Sequence, residues 1–245
     1  MDAKSNFRFF CSIFTVINIF STVAMKRFSQ ILLLCSITLL ACVQTDEHRV
    51  HVQGEIMNLG KSTVHITYHN TLDELTYDTI VSSKDGSINF NIQTTEGISP
   101  IKLYFVEKKC WTTLFAEPKD EISITGDVNS IELLTIKGGT VNNELNRFKQ
   151  KIRTLYQERL YLLKHCYFTE DQTEIRLAEI NLQLKRAAKD FIRENPSSIA
   201  SVVLIQDFFY QDYDPVTIDL LAILIDEAKS CKMTEKMRLG LSKWN

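Results

Sequence analysis

Thiols are the side chains in this sequence best suited to covalent chemistry. Four of the six cysteines, at positions 42, 110, 166 and 231, lie outside the two apolar N-terminal runs or at their boundary. Thiol–disulfide exchange needs two thiols separated by two residues, one to attack and one to resolve the mixed disulfide. No pair has that spacing, so we predict no exchange activity. Disulfides between Cys110 and Cys231 or between Cys166 and Cys231 both stay open, because spacing does not choose between them.

Histidines offer no arrangement typical of a metal or catalytic site. His65 and His69 share one face of a predicted strand, ~13 Å apart at ~3.3 Å per residue, which is too far to share a metal ion. His165 and Cys166 are neighbours on a predicted helix and point about 100° apart, so His165 is poorly placed to activate the thiol. We predict no catalytic residue, no metal site and no cofactor.

The segment Gly60, Lys61 and Ser62 resembles the end of a phosphate-binding loop. The complete motif requires a glycine five residues before Gly60, and that position holds Glu55, whose charge would repel phosphate. Strands are predicted on both sides, with no helix following. We therefore expect a hairpin turn.

Aromatic side chains are the remaining candidates for binding. Such residues can stack on a sugar ring or anchor a protein partner. Aromatic residues at a helix end more often pack between two parts of a fold, and this alternative stays open. The candidate binding patch consists of Trp111, Phe208, Phe209, Tyr210 and Tyr213.

The composition is that of a folded protein. Apolar residues make up 44% of the 245 residues and charged residues 24%, with four prolines and eight glycines, which argues against a disordered chain. Lysine and arginine number 28 against 30 acidic residues. This balance provides no basic surface for nucleic acid.

Residues 25–42 have the organisation of a secretory leader. Lys26 and Arg27 precede an apolar segment at 31–40, which is too short for a bilayer that needs ~20 residues. The leader ends in a quartet that resembles the lipobox of bacterial lipoproteins: Leu39, Leu40, Ala41 and Cys42. The resemblance implies cleavage before Cys42 and diacylglycerol and palmitate on this residue, which would anchor the protein in a membrane. An ordinary leader or a signal anchor is the alternative.

Residues 1–24 contain a second apolar run. A protein with two leaders would be unusual, so we expect translation to start at Met25, with a genuine N-terminal anchor as the alternative. Cleavage before Cys42 would remove four cations and one anion and leave 204 residues with 24 cations and 29 anions. A net charge of −5 does not favour binding to anionic lipid, so the acyl chains would hold the protein.

Two patterns divide the rest of the chain. After a short linker at 42–47, residues 48–139 alternate between apolar and polar side chains, with predicted strands that include 101–106, 112–116, 121–125 and 131–136. From 140 to 245 the apolar residues follow a helical period. We expect Ser197 to cap the helix after Pro196, and Asp214 to cap the helix that begins with Pro215. The predicted fold is α+β: an antiparallel β-sandwich or barrel, then an all-helical half.

The order of several short motifs is similar to that of a known family. Residues 48–240 resemble the N-terminal domain of unknown function, and the helical spacer after it, found in envelope lipoproteins before a thioredoxin-like (TlpA/ResA-type) domain. The motifs that carry this resemblance are VQGEI at 52–56, DTIVSSKDGSINF at 78–90, LFAEPKDEISI at 114–124, KGGTVNNE at 137–144 and FIRENPSS at 191–198.

The resemblance implies a place in the cell envelope, most naturally the outer membrane. Relatives carry out thiol–disulfide exchange in a domain that would begin where this sequence ends, and CxxC is missing here. We therefore expect a lipid-anchored, non-enzymatic binding or scaffolding protein. Its partners would be the membrane and a separate envelope protein or thioredoxin-like protein. The alternative is a truncated or accessory front part of a thiol–disulfide oxidoreductase.

Overall fold

The protein is described by a computed structural model that covers residues 47–164 and 170–243. The lipobox residues Leu39, Leu40, Ala41 and Cys42, and the thiol of Cys166, lie outside this part of the chain. Two antiparallel-rich sheets come first in the sequence and helices follow. The predicted α+β class is therefore confirmed.

Eight strands form two sheets of four. The strands are β1 (Arg49–Met57), β2 (Thr63–His69), β3 (Leu75–Val81), β4 (Ser87–Gln93), β5 (Ser99–Phe105), β6 (Cys110–Ala116), β7 (Glu121–Asp127) and β8 (Thr135–Lys137). The first sheet has the order β4-β1-β7-β8, and the second has the order β3-β2-β5-β6. Neighbouring strands are antiparallel apart from β1 and β7, which run parallel.

The two sheets bury one shared apolar core. Alternate residues of β1 and β7 from the first sheet, and of β2 and β5 from the second, belong to the same cluster of buried side chains. Val52, Ile124, Ile66 and Leu103 are each at most 1% exposed. The sheets are not closed into a barrel, so of the two predicted architectures the sandwich is the one that forms.

Two local predictions in the β half are wrong. Gly60, Lys61 and Ser62 do not close a hairpin, because β1 and β2 belong to different sheets and this segment crosses between them. Residues 131–136 are not one strand: a 3₁₀ segment (Val128–Leu133) precedes the three residues of β8. The Asp127 side chain accepts a hydrogen bond from the Asn129 backbone N–H at 2.9 Å, and this local bond favours the turn over an extended strand.

Seven α-helices and one π-helix are described in the second half. They are α1 (Thr140–Lys151), α2 (Arg153–Lys164), α3 (Glu170–Glu194), α4 (Ile199–Ile205), the π-helix (Gln206–Tyr210), α5 (Val216–Ala222), α6 (Asp226–Ser230) and α7 (Lys232–Leu241). The α4 cap is Ser198, whose hydroxyl oxygen accepts from the Ala200 N–H at 3.0 Å, so the prediction of Ser197 is wrong by one residue. Asp214 accepts from the Val216 N–H at 3.1 Å, as expected of a cap, but the helix begins at Val216, one residue later than predicted.

Helix α1 covers one edge strand of each sheet. The Asn142 side chain accepts from the Phe115 N–H at 3.0 Å and donates to the Phe115 carbonyl at 2.6 Å, on β6. One turn later, Asn146 makes the same pair of bonds with Ile136 on β8, at 3.3 and 2.6 Å. Edge strands expose unpaired backbone groups that otherwise attract other chains, and residues four apart share one helix face. α1 thus pairs the backbone of one residue on each edge strand from a single helix face.

The helices form a second core against the sandwich. Phe148 of α1 and Phe191 of α3 meet edge to face with ring centroids 5.6 Å apart, and the buried ring of Phe115 extends from β6 into the same cluster. The sandwich and helices together make one unit. In the part of the chain that the structure describes, no helix is long and apolar enough to cross a membrane.

Candidate functional site

A cleft of about 770 Å³ lies between the outer face of the second sheet and the helices. One wall is built from strands β2, β5 and β6 with Leu75 of β3, and the other from the 3₁₀ segment, α1, α2, the end of α4, the π-helix and the start of α7. Small-molecule sites are clefts of ~300–1,000 Å³ with apolar walls and a few convergent polar groups. The cleft therefore has the size and position of a ligand site.

The sheet wall follows from strand alternation. Residues of β5 that face away from the sandwich core include Lys102, which pairs across the ladder with Thr113 of β6. Trp111 lies two residues before Thr113 on the same face and is 55% exposed. The Lys102 ammonium lies 4.9 Å from the centre of the Trp111 ring, a cation–π distance that holds the indole in place. An ordered, exposed indole therefore forms part of this wall.

The helix wall carries charged groups next to aromatic rings. Lys149 lies beside Phe148 on α1, Tyr156 is on α2, and Asp207 and Phe208 come from the π-helix. Short π-helical segments occur often at functional sites, because the extra residue in the turn changes which side chains face a cavity. Phe148 and Phe208 are in edge-to-face contact at 5.9 Å. This contact fixes the π-helix against α1.

Lys149 has few partners for a partly buried cation. Its ammonium donates to the Leu134 carbonyl at 3.4 Å. Burial lowers the pKa of Lys149, and the nearby carboxylates of Asp207 and Glu132 act in the opposite direction. Within residues 47–164 and 170–243, Lys149, Asp207 and Glu132 form no ion pair within 4.0 Å. The three charges are thus close but not in contact.

The acidic groups of the cleft have raised pKa values or lack a hydrogen-bond partner. Burial raises the pKa of Asp207 to about 6, although Lys149 acts against this shift. Asp207 is nonetheless an exposed residue of the cleft lining, so solvent moderates this shift. The Oε2 atom of Glu132 is buried and has no hydrogen-bond partner among the residues described. Burial, reinforced by Glu132, raises the pKa of Tyr156 to about 12. Perturbed titratable groups that share a cleft mark a functional-site candidate.

The structure brings together two members of the predicted aromatic patch. Trp111 and Phe208 both line the cleft, on opposite walls. Phe209 is 3% exposed inside the helical core, Tyr210 packs with its hydroxyl against Gly240 of α7, and Tyr213 is 70% exposed and does not line the cleft. The patch as predicted is therefore spread over four environments.

The described cysteines and histidines make separate contacts. Cys110 and Cys231 are free thiols, so the Cys110–Cys231 disulfide left open by the sequence does not form. Burial raises the pKa of the Cys110 thiol, which disfavours the reactive thiolate.

The two histidines of β2 make separate contacts. A ring nitrogen of His65 lies 3.0 Å from the Thr79 hydroxyl, and a ring nitrogen of His69 lies 3.5 Å from an Asp73 carboxylate oxygen. The chain shows no cluster of three metal-ligating side chains within the described ranges.

Sequence reasoning did not identify the charged groups of the cleft. One signal was present: Asp207 is the single charged residue in the mainly apolar run at 199–210, where a charge is unexpected unless it has a role. Glu132, Lys149 and Tyr156 had no comparable signal, because they meet only through tertiary packing. No protein-family model matches this chain, and no curated protein matches it.

Proposed function

We propose that this protein is a lipid-anchored lipoprotein of the cell envelope that binds a small molecule in its cleft without catalysing a reaction. The observation that carries the proposal is the cleft itself, with an ordered indole on one wall and unpaired charged groups on the other. Unpaired charges in a partly dehydrated site cost stability. A ligand that makes their missing hydrogen bonds would recover that stability as binding affinity.

The anchor is proposed at Cys42, on the basis of its lipobox quartet. Strand β1 begins at Arg49, seven residues after Cys42. A chain of that length spans at most ~25 Å when fully extended. The binding body would therefore stay close to the membrane surface, most naturally that of the outer membrane.

Replacement of the anchoring cysteine tests the location. Cys42→Ser is expected to abolish incorporation of an alkyne-labelled palmitate and to move the protein from the membrane pellet to the soluble fraction, because the serine hydroxyl does not accept the diacylglyceryl group. Cys110→Ser is the matched control and should keep both label and pellet. A Cys42→Ser protein that still incorporates the label would contradict the anchor.

Binding is tested with the full-length protein in detergent and the background substitution Trp244→Phe, which leaves Trp111 as the single indole. The probes are a panel of neutral sugars, amino acids, nucleosides and short organic acids. At least one class is expected to change Trp111 emission in a saturable manner. Thr113→Phe, which fills the cleft, should abolish the change, while Thr79→Phe, on the same sheet but outside the cleft, should not. The absence of any saturable response would contradict the proposal.

Asp207 favours a second candidate function. A carboxylate with a pKa of about 6 near a lysine and a tyrosine is an arrangement used in general acid–base catalysis. Following the same probes by NMR would detect their conversion, and turnover lost in Asp207→Asn would replace the receptor proposal. The accessory role beside a thioredoxin-like protein has the sequence resemblance as its support.

A further inference from the structure

We infer that the ligand of the cleft is a neutral sugar, whose ring stacks on Trp111 and whose hydroxyls bond to Glu132, Lys149 and Asp207. This inference rests on the proposed binding function and names its ligand class. It follows from three properties of the cleft: the signs of its unpaired charges, its exposed indole and the neutral polar groups between them.

The charged groups of the cleft exclude ligands of a single sign. Glu132 and Asp207 need hydrogen-bond donors, whereas the Lys149 ammonium needs acceptors. A cationic ligand would satisfy the carboxylates but be repelled by Lys149, and an anionic ligand would do the reverse. A hydroxyl group both donates and accepts, so a polyol satisfies all three groups. It does so without adding net charge to a partly dehydrated site.

A zwitterion such as an amino acid also carries both signs. Its binding would require two more full charges to lose their water. The free-energy cost of desolvating paired charges can exceed the free energy gained from the attraction between them. Neutral hydroxyls lose much less hydration free energy than charged groups when they leave water. The cleft therefore favours hydroxyls over an ammonium and a carboxylate.

The exposed indole of Trp111 favours a ligand with an apolar ring face. Trp111 is more than half exposed at the cleft, whereas the next position on β6 faces the sandwich core. Lys102 fixes its ring orientation, which lowers the entropy lost when a ligand stacks on it. The C–H face of a sugar ring is apolar while its edge carries hydroxyls, so it fits an indole next to polar groups.

Neutral polar side chains complete the lining. Thr113 lies beside Trp111 on the sheet wall, and Gln206 and Gln211 border the helix wall. Amide and hydroxyl groups donate and accept hydrogen bonds, as sugar hydroxyls do. These side chains can contact a ring held between Trp111 and the charged groups.

The test measures affinity by calorimetry with the full-length protein in detergent. Probes are neutral hexoses, N-acetylhexosamines and their disaccharides, with amino acids and organic acids as comparison. At least one sugar is expected to bind with an affinity that changes less than twofold between 0.05 and 0.5 M NaCl, because a neutral ligand has no charge to screen. Trp111→Ala should weaken binding at least tenfold and Trp111→Tyr by a smaller factor. Tyr77→Ala, on β3 of the same sheet and outside the cleft lining, should leave it unchanged.

The outcomes separate this inference from the binding proposal. Saturable binding of amino acids or organic acids but of no sugar would overturn the sugar inference and leave the receptor proposal standing. If Trp111→Ala does not weaken sugar binding, the sugar ring does not stack on the indole, and this part of the inference is overturned. Absence of binding for every probe would overturn both. A circular dichroism melt of each variant excludes loss of folding as the cause.

Discussion

Asp207 is an exposed acidic residue that lines the cleft, and no cation lies within 4.0 Å of its carboxylate among the residues that the structure describes. Its pKa is raised to about 6 by burial from an ordinary value of 3.8. The charged or titratable groups around it come from three elements: Lys149 on α1, Tyr156 on α2 and Glu132 in the 3₁₀ segment. The ionised carboxylate therefore costs folding stability when the cleft is empty.

This cost predicts a pH-dependent effect of Asp207→Asn. Because the folded-state pKa exceeds the unfolded value, the folded protein binds the proton more tightly, and stability falls as pH rises from about 4 to about 6. The substitution should raise Tm by up to ~3 °C at pH 7.5, corresponding to at most ~1 kcal/mol after solvent screening in the open cleft. At pH 4 it should have no effect.

Thermal melts at the two pH values measure this difference. Asp190→Asn, at an exposed position of α3, is the matched control and should change Tm at neither pH. An Asp207→Asn protein that is less stable than the wild type at pH 7.5 would show that the ionised carboxylate stabilises the fold.

At the scale of elements, the start of α4 depends on a single hydroxyl. Ser198 has extended backbone angles, and the turn from Asn195 to Ser198 is closed by a backbone hydrogen bond of 3.2 Å. Ser197 lies inside this turn, so it is displaced from the cap position. The Ser198 hydroxyl also donates to the Glu144 carboxylate on α1. The cap therefore joins α4, which leads into the π-helix of the cleft, to the helix that carries Lys149.

The neighbouring serines provide a matched pair of variants. Ser198→Ala should lower the free energy of unfolding by ~1–2 kcal/mol, because α4 loses its cap and Glu144 loses a donor. Ser197→Ala should change it by less than ~0.5 kcal/mol, as expected for an exposed side chain. Urea unfolding followed by circular dichroism gives both values. Equal effects of the two substitutions would contradict the assignment of the cap.

For the whole molecule, α1 determines how the sandwich and the helices meet. Asn142 and Asn146 supply the hydrogen bonds that a neighbouring strand would make with Phe115 of β6 and Ile136 of β8. The chain reaches α1 through Gly138 and Gly139, both with positive φ. A Cβ atom on Gly138 would lie 2.2 Å from the Glu121 carbonyl oxygen, so only glycine fits there. The position of α1 in turn places Phe148 and Lys149 against the cleft.

Asn142 and its exposed neighbour Asn143 test this connection. Asn142→Ala should lower the free energy of unfolding by ~2–3 kcal/mol, because buried backbone groups of Phe115 lose their partner. The expected fall in Tm is ~5–10 °C. Asn143→Ala should lower Tm by less than ~2 °C, since Asn143 is exposed. Calorimetry of both variants measures the difference, and an Asn142→Ala protein as stable as Asn143→Ala would show that α1 is held by other contacts.

The sequence by itself determined the features that depend on local order. The period of two along 48–139 and the helical period after 140 predicted the α+β fold, because alternation of apolar residues reflects one buried face of an element. The cap at Asp214 was likewise readable, since its partners lie within three residues. The cap at Ser198 was missed by one position, because the preceding turn sets which serine has the required backbone angles.

Only the tertiary structure decided what lies between the elements. Strand pairing was not readable, and β1 and β2, adjacent in sequence, joined different sheets. Trp111 and Phe208 were identified as aromatic candidates, but their meeting across the cleft depends on α1 packing against two sheet edges. Glu132, Lys149 and Asp207 lie far apart in sequence and carry no shared pattern. Their proximity arises because burial of the apolar faces of several elements brings the polar positions beside them into one cleft.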